Sequence, residues 1–351
     1  MTPDAMLQEL KRSPDCLLQD IDLVNRRGLL VGIREADYRN ASFLDHRVLK
    51  PDTQGAWFPL PRLINQAADI KPQDPAHFIF HVSHCGSTLV SRLLAELPGC
   101  LPLREPLSFL NLALARRELE RPESRLDAAG WDALFDLSIR LASRSYRPGE
   151  RTLVKATSAC ANLLTPLFSR SPGSRALLLY TDLETWLTTM LRDDKVRENG
   201  RYYAPAWLTD FMAITGLKDL KLSALTDAEQ FALNWLTGML HFQRARETAP
   251  ERVLLCDFEE FLAEPAASLR RAANFFDLDA ARAEEITSGS LMRSYAKNPA
   301  QPFNGAQRRQ ELKQARARVG IEIDAGLAFA GKLSKQVPAL ASLATHFNRS
   351  A

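Results

Sequence analysis

A short polar loop at residues 83–88 has residue types suited to binding an anion. It follows a candidate strand at 78–82 and opens into an apolar-spaced, helix-like stretch at 88–97. In such an arrangement backbone N–H groups and the helix N-terminus face the anion. We expect Gly86 to let the backbone approach it, while Ser87 and Thr88 add hydroxyl donors. The lysine of the nucleotide-hydrolase loop, G-x-x-x-x-G-K-[ST], is missing, so the loop does not indicate ATP.

Polar residues follow three further candidate strands. They are Glu105 after 100–103, Lys155 after 152–154 and Thr181 after 176–180. The carboxyl ends of parallel strands meet at one edge of a sheet, where ligands bind in open α/β folds. A carboxylate, an ammonium and a hydroxyl would therefore converge on the crevice beside the loop, and these groups serve acid–base catalysis and anion binding.

The elements that must position these residues alternate between strand and helix. Short apolar runs, typical of buried parallel strands, occur at 78–82, 100–103, 152–154, 176–180 and 253–256. The clearest helix spans about 227–247, where Thr226 and Glu229 have the spacing of a capping box. The pattern predicts an α/β, P-loop-like three-layer fold with a central, mainly parallel sheet flanked by helices.

Three segments are predicted along the chain. Residues 1–75 form an extension packed on the core, with one apolar stretch at 28–33. Residues 76–300 form the α/β domain. Residues 301–351 form a helical tail, whose charged part at 307–318 is typical of a solvated helix.

Composition excludes several classes of partner and compartment. The net charge of +3 arises from 45 basic and 42 acidic residues in 351, which does not favour a nucleic-acid binder. No apolar run is long enough for a membrane span, and the N-terminus lacks the order of a secretion signal. The 5 scattered cysteines indicate neither a disulfide framework nor a metal site. We expect a cytoplasmic enzyme without a metal.

Two motifs resemble the sulfotransferases that use 3′-phosphoadenosine 5′-phosphosulfate, particularly the bacterial and protein-tyrosine types. His84-Cys85-Gly86-Ser87-Thr88-Leu89 is similar to the first loop of that family, R/K-S-G-T-T-L. Phe258-Glu259-Glu260-Phe261-Leu262-Ala263-Glu264-Pro265 is similar to its Y-E-D-L-L-x-D-P, and an apolar helix with a paired arginine follows at 269–276. The resemblance covers about 76–300 and preserves the order of the elements.

The resemblance implies a reaction and a set of site residues. The phosphosulfate would be the donor, and a small molecule, carbohydrate or peptide would be the acceptor through a hydroxyl or amine. Glu105 would be the general base, Lys155 would stabilise the leaving phosphate, and His84 would act in the loop beside them. Donor binding falls to His84, Cys85, Gly86, Ser87, Thr88, Leu89, Thr181, Thr189 and Lys297. The acceptor would contact loops such as the segment at 201–207.

Two departures from the family pattern concern positive charge. His84 stands where the family has arginine or lysine, which weakens phosphosulfate binding unless the histidine is protonated. Thr181 stands where the family has the arginine that clamps the 3′-phosphate, and Thr189 keeps only a hydroxyl at the serine position. Replacement charge would have to come from Arg192, Lys195, Arg197 or Lys297.

Other interpretations of the same residues stay open. A nucleotide-dependent phosphotransferase and a non-catalytic binding protein on the same fold are alternative functions. Glu105 could instead pair with Arg104, and Lys155 could be a surface lysine. Cys85 is expected to fill space in the loop, while Trp186 and Trp235 are expected in the core.

Overall fold

An antiparallel sheet and three helices form the N-terminal part of the protein, whose computed structural model describes residues 2–72, 74–295, 298–302, 305–343 and 345. In chain order the elements are α1 (Pro3–Arg12), β1 (Cys16–Asp22), β2 (Arg27–Gly32), α2 (Glu35–Asn40), β3 (Gly55–Pro59) and α3 (Leu60–Ala68). The strands lie in the order β1-β2-β3. The apolar stretch at 28–33 is therefore largely the middle strand, with Leu30 and Val31 buried.

Five parallel strands form the central sheet. They are β4 (His77–His81), β5 (Cys100–Arg104), β6 (Arg151–Lys155), β7 (Ala176–Tyr180) and β8 (Val253–Asp257), in the spatial order β5-β6-β4-β7-β8. Every residue of β4, β5 and β7 is buried. Continuous apolar runs are what strands covered on both faces require. The predicted α/β fold with a central parallel sheet is confirmed.

Helices connect and cover the strands. They are α4 (Ser87–Ala95), α5 (Leu107–Arg116), α6 (Ala128–Ala142), α7 (Leu164–Arg170), α8 (Leu183–Leu191), α9 (Asp194–Thr215), α10 (Asp227–Thr248), α11 (Phe258–Ala263), α12 (Pro265–Phe275) and α13 (Ala283–Ser288). Short 3-10 helices lie at His46–Val48, Ser158–Leu163, Leu222–Ala224, Pro250–Arg252 and Ser290–Arg293. The capping box at the start of α10 is confirmed, because Thr226 and Glu229 each accept a hydrogen bond from the other's backbone N–H.

A two-stranded ribbon and a long helix complete the described chain. They comprise β9 (Ser294–Tyr295), β10 (Asn298–Pro302), α14 (Gly305–Gln336) and the short α15 (Pro338–Ala341). The part of α14 at 307–318 is mostly exposed, as a solvated helix should be, whereas Ile323 and Ala330 are buried where the helix packs on α8 and α10. The division of the chain at 75 and 300 stays a prediction. No described helix is both long and apolar enough to cross a membrane.

Three central strands run one residue beyond the apolar runs seen in the sequence. The added residues are Arg104, Lys155 and Asp257. Arg104 pairs with Lys155, and Asp257 pairs with Tyr180, because strand pairing uses the backbone and does not need an apolar side chain. Charged residues therefore stand at the carboxyl edge of the sheet, where the candidate site lies.

A buried histidine at the opposite, amino-terminal end of β4 makes stability depend on pH. His77 stacks on Phe276, and its Nδ1 accepts a hydrogen bond from the backbone N–H of Arg175. Burial, followed by the charge of Arg175, lowers the pKa of His77 to about 4. The unfolded chain binds this proton near pH 6.5 and the folded chain does not, so acid favours unfolding between those values.

We predict that His77→Phe weakens this dependence. The free energy of unfolding of the parent should fall by about 1–2 kcal/mol more than that of the variant between pH 7 and pH 5. Urea unfolding of both proteins at the two pH values measures the difference. An equal loss in parent and variant would contradict a buried, neutral His77.

Candidate functional site

The loop between β4 and α4 has the backbone geometry of an anion site. His84 and Gly86 both have left-handed backbone angles, with φ of 57° and 76°, and Cys85 lies between them. Alternation of this kind turns successive N–H groups toward one point. Gly86 is the N-cap residue of α4. It has no side chain that could accept a hydrogen bond from the first N–H groups of the helix. This geometry is compatible with the predicted anion site, which stays a prediction.

The missing side chain of Gly86 has a structural use that the sequence did not reveal. A Cβ atom built on Gly86 would lie 2.0 Å from the ring of Phe258 at the start of α11. The ring of Phe258 occupies the space that any side chain at this position would need, while the close approach of the backbone to an anion stays a prediction. Gly86 is needed because of its positive φ and because α11 packs against the loop.

The other side chains of the loop are mostly turned inward. Cys85, Ser87, Thr88 and Leu89 are all buried, whereas His84 is exposed. The Oγ1 atom of Thr88 is closed off from solvent and has no hydrogen-bond partner among the described residues. An anion at this loop would thus meet backbone N–H groups and His84 rather than a row of hydroxyls.

The cysteines carry no nucleophile or metal site in the described chain. The Sγ of Cys85 donates to the carbonyl of Val82, and burial raises the pKa of this thiol above its usual range. A thiol that stays protonated is a poor nucleophile, so the prediction that Cys85 fills space in the loop agrees with its surroundings. The described residues include no group of three or more His, Cys, Asp or Glu that could hold a metal ion.

The structure brings Glu105 and Lys155 into direct contact. The ammonium of Lys155 donates to Oε1 of Glu105, and the backbone N–H of Glu105 donates to the carbonyl of Lys155 at 2.6 Å. The Lys155 side chain is 1% exposed and that of Glu105 is 17% exposed, so the carboxylate lies on the more open side. Glu105 also has a φ of 56°, which is strained for a residue with a side chain. Such strain concentrates at functional sites.

Arg104 does not pair with Glu105, although the two are adjacent in sequence. Its guanidinium donates to Ser91 and to the carbonyls of Tyr38, Arg39 and Ala41. Alternate residues of a strand point to opposite faces, and Arg104 is buried against the N-terminal segment. Lys155 is likewise no surface lysine. The alternatives of an Arg104–Glu105 ion pair and an exposed Lys155 are therefore wrong.

Two buried tryptophans hold the strand ends in place. The indole N–H of Trp186 donates to the carbonyl of Ser83 at 2.6 Å, and that of Trp235 donates to the carbonyl of Thr181 at 3.0 Å. Both rings are fully buried, which confirms the prediction that they belong to the core. They also satisfy carbonyl groups at the point where the sheet ends.

The residues predicted to hold a 3′-phosphate are not arranged as an open pocket. Oγ1 of Thr181 is closed off from solvent, and Oγ1 of Thr189 donates to the carbonyl of Thr185 in its own helix. Arg192 is paired with Glu311 and Arg197 with Glu322, while Lys195 is exposed on α9. Lys297 lies outside the described residues.

A segment of the N-terminal part covers the ion pair, which the sequence did not predict. The Phe43 ring lies 5.8 Å from Nζ of Lys155 and 3.7 Å from the guanidinium of Arg47. The carboxylates of Asp45 and Glu105 raise the pKa of Arg47. No local pattern marks these residues, because their relation to Glu105 arises from the packing of distant segments.

A cavity of about 360 Å³ lies beside the loop. Ser83 and His84 line it, together with the segment after β6 and faces of α5, α8, α9 and α10. The prediction that 201–207 is a loop is wrong, since α9 includes it. Its cavity-lining residues are Val196, Asn199, Gly200, Tyr203, Trp207 and Asp210. They recur every three or four residues, and this helical spacing could have identified them from the sequence.

Among the solved structures that resemble the chain are several sulfotransferases. The sulfotransferase domain from the curacin biosynthetic pathway is 14% identical, with a TM-score of 0.41 over 71% of this chain and 99% of that chain. A sulfotransferase of Mycobacterium tuberculosis H37Rv is 12% identical, with a TM-score of 0.39 over 72% and 82%. One of Mycobacterium avium is 13% identical, with a TM-score of 0.38 over 90% and 96%. Neither a family model nor a curated protein matches the chain.

These neighbours are of the class that the sequence motifs resemble. Similarity at this level of identity and TM-score assigns no activity, so a function has to be argued from the loop, the ion pair and the cavity.

We predict that Gly86→Ala destabilises the protein more than Gly149→Ala. Both glycines have a φ of 76°, but a Cβ on Gly149 would meet nothing within 4 Å. The control should therefore lose only the roughly 1–2 kcal/mol of a left-handed residue, whereas Gly86→Ala should lose about 1–3 kcal/mol more through overpacking against Phe258. Urea unfolding compares them. Equal losses would show that Phe258 yields without cost.

Proposed function

We propose that the protein is a sulfotransferase that moves the sulfuryl group of 3′-phosphoadenosine 5′-phosphosulfate to a hydroxyl or amine of an acceptor. The observation that carries the proposal is the ion pair of Glu105 and Lys155, at the carboxyl edge of the sheet that also bears the anion loop. A strained, partly exposed carboxylate at such an edge is a candidate for catalysis. The motifs at 84–89 and 258–265 support the identity of the donor.

The reaction needs a base and a means of neutralising charge. The acceptor oxygen bonds to sulfur while the bond from sulfur to the phosphate-bridging oxygen breaks. Glu105 accepts the proton that the acceptor hydroxyl loses. The products are a sulfate ester and adenosine 3′,5′-bisphosphate, and negative charge builds on the bridging oxygen as it leaves.

Lys155 has two roles in this proposal. Its ammonium lies behind the carboxylate and holds Glu105 in its left-handed conformation. Its positive charge would also stabilise the negative charge that builds on the leaving bridging oxygen. Because Lys155 is almost completely buried, positioning Glu105 is the better supported of its two roles.

The structure supports binding of the phosphosulfate better than binding of the 3′-phosphate. Backbone N–H groups of the loop and the exposed His84 would bind the phosphosulfate, and protonated His84 adds charge. Oγ1 of Thr181 is closed off from solvent and Oγ1 of Thr189 donates within its own helix, so these hydroxyls give little support to a 3′-phosphate pocket. This feature favours a second candidate, a non-catalytic binding protein with the same fold.

We predict that Glu105→Gln lowers turnover by roughly 10²–10⁴ while leaving donor affinity nearly unchanged, since the amide cannot accept the proton. The measurement is release of adenosine 3′,5′-bisphosphate with a biphenyl phenol as acceptor. Glu35→Gln is the matched control, because Glu35 is ion-paired with Arg39 and Arg147 in the N-terminal part. Turnover of Glu105→Gln within twofold of the control would remove Glu105 from the role of base.

We also predict that adenosine 3′,5′-bisphosphate raises the melting temperature by several degrees. A ligand at a hundredfold excess over its Kd adds about 2.7 kcal/mol to the stability of the folded state. Adenosine 5′-monophosphate should do less, because it lacks the 3′-phosphate and the interactions of that group.

The shifts in melting temperature, together with turnover, distinguish a sulfotransferase from a phosphotransferase and from a binding protein. A shift with magnesium ATP alone would favour a phosphotransferase. A shift with the bisphosphate but no turnover of the phosphosulfate with any acceptor would favour the binding protein. No shift with any nucleotide would refute donor binding.

A further inference from the structure

The cavity runs along one face of α5, the helix that begins two residues after the candidate base. Leu110, Leu114 and Arg117 line it from one face of α5 and its C-cap, and Leu110 lies in the first turn, just after Glu105 in the chain. A helix rises 1.5 Å per residue, so Arg117 lies about 10 Å beyond Leu110 along the axis. The cavity therefore extends about 10 Å along α5, from Leu110 in its first turn to Arg117 at its end.

The walls between these ends are mainly apolar. They include Leu110, Leu114, Met190, Val196 and Trp207. Apolar walls favour a ligand whose body is apolar, because burying that surface contributes about 25 cal/mol per Å². They do not suit a carbohydrate, whose many hydroxyls would lose their hydrogen bonds to water.

At the end of the cavity near Arg117, three residues form a buried polar group: Arg117, Asp210 and His241. Nε of Arg117 donates to Oδ2 of Asp210 at 2.7 Å, and another N–H of Arg117 donates to the carbonyl of Ala159 at 2.7 Å. The ring of His241 also lines the cavity, and its buried Nε2 has no hydrogen-bond partner among the described residues. Within the described chain, Oδ1 of Asp210 accepts no hydrogen bond. Hydrogen-bonding capacity is therefore left for a ligand.

Burial makes an added charge costly at the end of the cavity near Arg117. Burial, followed by the charges of Arg117, Arg244 and Arg116, lowers the pKa of His241 to about 3. Burial raises the pKa of Asp210 despite its contact with Arg117. Loss of hydration thus opposes an added charge of either sign, while the arginines add repulsion only for a cation.

We infer that the acceptor is an elongated, uncharged and mainly apolar hydroxyl compound whose second hydroxyl, about 10 Å from the first, binds at Asp210 and His241. The inference rests on the proposed function for the identity of the first hydroxyl as the one that is sulfated. A hydroxyl both donates and accepts, which matches a carboxylate oxygen next to a neutral imidazole.

Four rigid biphenyl phenols test the end of the cavity near Arg117. They share one phenolic hydroxyl and carry at the 4′ position a hydroxyl, a hydrogen, a carboxylate or an aminomethyl group. Binding is measured by calorimetry without donor, and turnover is measured separately with the phosphosulfate. We expect the diol to bind at least about tenfold more tightly than the other three, the effect of one well-formed hydrogen bond in a buried site.

Binding and turnover test the inference about the cavity and the proposed function separately. Preference for the diol in binding, without turnover of any compound, supports the inference about the cavity and overturns the proposed function. Turnover of all four compounds with equal affinity supports the proposed function and overturns the inference. Tighter binding of the charged compounds also overturns it.

A variant pair locates the preference in the cavity. His241→Phe should reduce the preference for the diol over 4-phenylphenol to within about threefold while leaving the affinity for 4-phenylphenol unchanged or improved, because a neutral hydrogen bond is lost and apolar surface is gained. His77→Phe makes the same substitution at a buried histidine at the opposite end of β4 and should keep the preference. Melting curves establish that both variants fold. An unchanged preference in folded His241→Phe overturns the assignment of His241.

Discussion

A positive charge buried at the carboxyl edge of the sheet governs the arrangement of the candidate site. Lys155 ends β6 with its ammonium almost completely removed from water, and a buried charge is tolerated only when it is paired. The carboxylate of Glu105 pairs with it, at the end of the neighbouring strand. This contact, together with the backbone hydrogen bond between the same two residues, holds Glu105 in a left-handed conformation and aims its carboxylate toward the open side.

The loop beside this pair is held by residues from three helices. Trp186 and Trp235 donate to backbone carbonyls at the ends of β4 and β7, and Phe258 packs over Gly86. Backbone groups at the end of a strand have lost their partners in the sheet, so buried donors from the helices satisfy them. The large aromatic residues of the core thereby fix the path of a small polar loop.

In the proposed function, the two ends of the donor would be bound unequally, and this has a consequence for catalysis. In this proposal the loop offers N–H groups to the phosphosulfate, whereas Oγ1 of Thr181 is closed off from solvent and Oγ1 of Thr189 donates within its own helix. Interactions near the sulfur strengthen as charge develops during transfer, whereas those at a remote phosphate bind substrate and transition state alike. In the proposed function, the protein retains the interactions that accelerate the reaction and has fewer of those that only hold the donor.

The sequence by itself determined the five strands of the central sheet, the turn at Gly86 and the capping box of α10, because apolar runs, glycine and cap residues act on their neighbours in the chain. It also placed Glu105 and Lys155 at strand ends. Only the tertiary structure decided that Glu105 pairs with Lys155 rather than with the adjacent Arg104, and that Phe258 fills the space at Gly86. The cavity and its polar end likewise join α5, α9 and α10. Side-chain direction and the shape of a cavity depend on segments far apart in sequence, which meet only when the chain folds.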